Sequence, residues 1–76
     1  MIANDNISVI NRWPYQFRVS DETPSDKSPY HRYSVIRFKK NVTKGAYVLK
    51  DGDRDIFAES AEKAVKIYLI KIKKSK

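Results

Sequence analysis

Strict alternation over one short segment does most to narrow what this chain can become. Trp13, Tyr15, Phe17 and Val19 alternate with Pro14, Gln16, Arg18 and Ser20. A period of two, with aromatic and β-branched residues on one side, predicts a strand with one buried face. Pro14 has no amide to give to a ladder, so the strand begins after it or lies at an edge there. A strand cannot stand alone, and 76 residues leave room for one small core and no deep cleft. One domain over residues 1–76 follows.

The partners of that strand come from the rest of the chain. Ile7-Ser8-Val9-Ile10 reads as a short strand, a helical turn capped by Asp5 or Asn6 being the alternative. Residues 20–29, SDETPSDKSP, hold two of the three prolines and no aliphatic or aromatic group, the composition of an exposed loop. His31 to Lys40 is rich in β-branched and aromatic residues. It places Tyr33 and Val35 on one side and Ile36 and Phe38 on the other, as an interior strand does. Lys50-Asp51-Gly52-Asp53 separates Ala46–Leu49 from Arg54–Ala58 and predicts a hairpin turn with glycine at positive φ.

The period then changes. Ala61, Ala64, Val65, Tyr68, Leu69 and Ile72 form one stripe at helical spacing. Ser60 is placed to cap the first turn, with Glu62 near the positive end of the helix dipole and lysines near the negative end. A helix from about Ala61 to Lys73 is expected, a strand over Ile67 to Lys73, whose residues alternate in part, being the competing reading. The fold class is therefore α+β: a three- to four-stranded, mainly antiparallel sheet with the C-terminal helix on one face. Trp13, Tyr15, Phe17, Val19, Ile36, Phe38, Val48, Ile56, Val65, Tyr68 and Leu69 are the expected core.

Charge is distributed in blocks. The formal net charge is +7. Residues 27–50 hold Lys27, Arg32, Arg37, Lys39, Lys40, Lys44 and Lys50 with no acid, and residues 63–76 hold Lys63, Lys66, Lys71, Lys73, Lys74 and Lys76 with none. Asp51, Asp53, Asp55, Glu59 and Glu62 lie between them. Acid-free cationic stretches are the means by which proteins displace counterions from phosphates. Tyr30 and His31 sit beside Arg32, a cation–aromatic mixture suited to stacking unpaired bases.

The expected function is non-catalytic binding of nucleic acid or a nucleoprotein complex. Arg32, Arg37, Lys39, Lys40, Lys44, Lys66, Lys71, Lys73, Lys74, Tyr30 and His31 are the candidate contacts. The alternative is an inhibitor or adaptor of the kind carried by phages and mobile elements, docking on a host protein such as a defence complex. Ile67 and Ile70, which stand among the helix lysines, would then form the interface.

Other chemistry is thinly represented. Cysteine is absent, which removes disulfides, thiolate zinc sites and a cysteine nucleophile. It fits a reducing, cytoplasmic setting. His31 is the single histidine, and the two glycines cannot make a phosphate loop. Asp51, Asp53, Asp55 and Glu62 match ligand positions of a calcium loop, but Ile56 stands where that loop needs glycine. No cofactor, metal, small-molecule substrate or membrane partner is expected, and no secretory signal follows Met1. Ser28-Pro29-Tyr30-His31 ahead of a strand, in a chain ending in a lysine-rich helix, is faintly similar to the double-stranded-RNA-binding domain. Residues 56–62 put acids where that family meets phosphate, so no family is assigned.

Overall fold

The computed structural model describes residues 7–74, and the alternating segments form strands. β1 (Ile7–Arg12), β2 (Tyr15–Asp21), β3 (His31–Asn41) and β4 (Ala46–Ala58) precede α1 (Ala61–Lys74). The strands make one sheet in the order β1-β2-β3-β4, every neighbouring pair antiparallel. This is a small α+β fold, with α1 on one face of the sheet. Ile7–Ile10 is strand. The alternative cap at Asp5 or Asn6 lies outside the described residues.

Register decides which side chains reach the helix. Phe17 and Val19 of β2 face Arg37 and Val35 of β3, and Tyr33 faces Ile56 of β4. With Ala58, Ala64, Val65 and Tyr68, the apolar members of this set form the buried core. Ser60 Oγ accepts from the Lys63 amide at 3.3 Å, the expected cap of α1. Tyr15 and Leu69 pack at the core margin.

The expected Lys50–Asp53 hairpin is corrected by the structure: β4 runs straight through it as a thirteen-residue strand. The turn lies earlier, at residues 42–45. There Asn41 accepts from the Lys44 and Gly45 amides, and Gly45 takes φ +65°. Gly52 serves a different need. A Cβ there would stand 2.9 Å from the Val35 carbonyl oxygen, so the residue allows close strand approach rather than a turn. The ladder to β3 shifts register between Tyr33 and Val35 and again between Arg37 and Phe38. These two bulges absorb the two residues by which β4 exceeds the eleven-residue β3.

Three expected core residues are also corrected. Trp13, at the β1–β2 turn, is 70% exposed. Ile36 points to the sheet face away from α1, and Val48 lies toward the sheet end, where it is exposed. Phe38, also on the helix-free face, is only half-buried. That face has no cover among the described residues. The loop begins two residues later than expected, because β2 extends to Asp21.

Candidate nucleic-acid interface

An antiparallel meander places alternate turns at the same end of its sheet. The Trp13–Pro14 turn, whose peptide bond is cis, and the 42–45 turn are therefore neighbours, joined by a Lys40 amide to Pro14 carbonyl bond of 2.8 Å. α1 starts beside the opposite end, after Ala58, and runs back over the sheet. Its last turns meet a groove lined by Tyr15, Arg37, Lys50, Asp51, Leu69, Ile72 and Lys73. Fourteen helical residues span about 21 Å, about half the length of the thirteen-residue β4, so Lys73 meets Lys50 and Arg37 about midway along the sheet, while Lys39, Lys40 and Lys44 lie toward the 42–45 turn at one end. Arg12 and exposed Trp13 belong to the same end.

No carboxylate lies in residues 38–50 or in α1 beyond Glu62. The nearest, Asp51, is already engaged. It accepts from Arg37 Nε at 2.9 Å and Nη2 at 2.6 Å, and from the Tyr68 hydroxyl. The Arg37 bond holds the Asp51 carboxyl below its ordinary range, while burial and then Asp51 itself push the Tyr68 hydroxyl up. Arg37 also stacks on Tyr15, 4.8 Å from the ring centre, and its side chain is 11% exposed. It is a structural cation rather than an exposed contact. Lys71 pairs with Asp53 at 2.7 Å, which holds the Asp53 carboxyl low.

The remaining sequence candidates lie elsewhere. Tyr30, His31 and Arg32 are at the far end of β3, ten residue steps or about 33 Å from Asn41. They sit among Asp21, Glu22 and Asp26, and Arg32 lies 3.6 Å from Asp55. Lys66, Ile67 and Ile70 are exposed on the outer side of α1. Asp51, Asp53 and Asp55, spaced as in a calcium loop, stand on an extended strand with cationic partners.

His31 is built into the loop. Nδ1 lies 2.8 Å from Asp21 Oδ2 and Nε2 lies 2.9 Å from the Asp26 main-chain oxygen. Both partners can only accept, so both ring nitrogens must carry a proton for both bonds to form. The Asp21 bond is the chief cause that raises the His31 pKa above 6.5, and the Asp26 carbonyl adds to it. A raised folded value means the stabilisation is complete below pH 6.5 and is lost as pH rises through the folded pKa. The protection of amides in residues 22–30, taken relative to their intrinsic base-catalysed exchange rate, is accordingly expected to fall on that alkaline side. His31→Asn should abolish the pH dependence, and a loop indifferent to pH in the parent chain would refute the clasp.

Sequence reading missed Arg12, Trp13 and Lys50 at the basic end. Antiparallel topology was the signal that would have grouped them. It also missed the helix-free face, where Arg18 lies over the Phe38 ring at 4.2 Å and Lys40 over Tyr47 at 5.1 Å. No protein-family model, no curated protein and no solved structure matches this chain. Among the described residues no helix is long and apolar enough to cross a membrane.

Proposed function

We propose that the chain is a non-catalytic binding protein that engages nucleic acid, free or within a nucleoprotein complex, through its basic end. The observation that supports this is the acid-free run from Phe38 to Lys50 at one end of the sheet, with Lys73 of α1 reaching Lys50 beside an Asp51 that Arg37 already engages. Cations so grouped release counterions together when they meet a polyanion, and a neutralised or scattered set does not.

Fluorescence anisotropy with labelled oligonucleotides, titrated across salt, tests the proposal. Affinity should fall linearly in log salt, by about 0.7 log units per contact on single strands and about 0.9 on duplex DNA. Absence of binding to single strands and duplexes at low salt would overturn it. That result would favour the docking of a host protein on the exposed Ile67 and Ile70 of α1, which are 40% and 55% exposed.

A further inference from the structure

The helix-free face of the sheet carries an ordered set of side chains that the basic end alone does not explain. Arg18 and Ile36 face each other across β2 and β3, with Gly52 opposite Ile36 on β4. One row nearer the basic end, Phe38 faces Gln16 and Leu49. One row further, Lys40 faces Tyr47. Successive rows lie about 6.8 Å apart along the strands.

Arg18 is held in place. Asn11 Oδ1 accepts from Gln16 Nε2 at 3.1 Å, and Gln16 Oε1 accepts from Arg18 Nε at 3.1 Å. This chain fixes the guanidinium above Phe38. Beside it, the missing side chain at Gly52 leaves a shallow depression bordered by Ser34, Ile36, Leu49, Lys50 and Arg54, and by Asp51 and Asp53, whose carboxylates are engaged by Arg37 and Lys71. A planar cation on an aromatic ring, next to an apolar hollow and in line with Lys40, suits a flat, electron-rich group attached to an anionic backbone.

We propose that this face binds single-stranded nucleic acid. Unpaired bases lie over the Arg18–Phe38 pair and in the hollow above Gly52, while phosphates follow Lys40 toward Lys44. The inference rests on the polyanion reading above and narrows it. Duplex DNA or RNA keeps its base faces stacked inside, whereas a sheet surface with aromatic and guanidinium planes meets bases that are already open.

The test compares a labelled single-stranded oligonucleotide with a hairpin duplex of the same composition, using the full chain. The single strand should bind more tightly. Phe38→Leu, which keeps apolar volume but removes the ring, should weaken single-strand binding about 5- to 100-fold. Arg18→Gln should weaken it without changing the circular dichroism spectrum, and Ile70→Ser on the far side of the molecule should leave it unchanged. Equal affinity for duplex and single strand would overturn the inference. So would single-strand binding that survives both face variants yet is lost on replacing Lys40 and Lys44, a pattern that leaves the basic-end reading standing. Self-association abolished by Phe38→Leu, without oligonucleotide binding, would assign the face to a second copy and overturn it as well.

Discussion

Replacing Lys39, Lys40 and Lys44 together by alanine is expected to lower affinity for a single-stranded oligonucleotide about a hundredfold at low salt. Each exposed charge pair at about 4 Å is worth about 1 kcal/mol in water, and three such losses give that factor. The salt dependence should become shallower by about 2 log units per log unit of salt, since single strands contribute about 0.7 per contact. Lys39 and Lys44 are exposed, and Lys40 gives up only a 3.3 Å bond to the Gly45 carbonyl and its place over Tyr47. Thermal stability should therefore change little. Replacing Lys27 and Lys63, at the acidic end, removes two charges far from the tip and should leave the salt slope unchanged. If both variants weaken binding alike, net charge is responsible and the basic end has no special part.

The largest expected loss of stability from a single polar residue is at Asp51. Asp51→Ala strips Arg37 of its bidentate partner and Tyr68 of its acceptor while Arg37, on the sheet, and Tyr68, on α1, stay packed between the two layers. Breaking a buried pair costs about 3–5 kcal/mol. The Asp51 side chain is 37% exposed, so solvent screening reduces the expected cost to about 2–3 kcal/mol. For a domain of this size that corresponds to a fall in Tm of about 10–20 °C. Tyr68→Phe, which removes only the hydroxyl, should cost about 1 kcal/mol.

The carboxyl of Asp51 is held below its ordinary 3.8, chiefly by Arg37. Its contribution is complete above that value and lost as pH falls through the folded pKa. The stability gap between parent and Asp51→Ala should thus be widest near neutrality and close on acidification. Equal melting temperatures at pH 7 would mean that water serves Arg37 as well as Asp51 does.

Local periodicity made much of this fold legible. β2 and α1 follow from runs in which every second residue, or every third and fourth, is apolar, and Ser60 marks the helix start. What local pattern could not show was where β4 turns. Lys50-Asp51-Gly52-Asp53 has turn composition, but β3 offers eleven residues of ladder, and continued pairing satisfies more backbone groups than an early reversal. Gly52 is needed because Val35 comes close, a fact about a residue seventeen positions away. Ile36 and Val48 were misplaced for a different reason: α1 covers only one face of the sheet and part of its length, so Ile36, on the other face, and Val48, toward the sheet end, stay exposed.

The candidate site was legible in its charges and illegible in its pairing. That Lys39, Lys40 and Lys44 share one acid-free stretch could be read from the sequence, but that α1 ends about midway along the sheet, beside Lys50, could not. That Arg37 is consumed by Asp51, or that Arg18 lies on Phe38, depends on cross-strand register. Tyr30 and His31 were grouped with the lysines because they are close along the chain, although β3 carries them to the other end of the sheet.

The bulges in β4 have a consequence for how the protein behaves in company. An outer strand of thirteen residues would, if regular, be a flat template onto which another chain could add its own backbone. Two interruptions of the ladder, with charged residues at Lys50, Asp53, Arg54 and Asp55 around them, break that template into short lengths and twist it out of plane. Irregularity that begins as an accommodation between neighbouring strands thereby discourages open-ended, fibre-like growth.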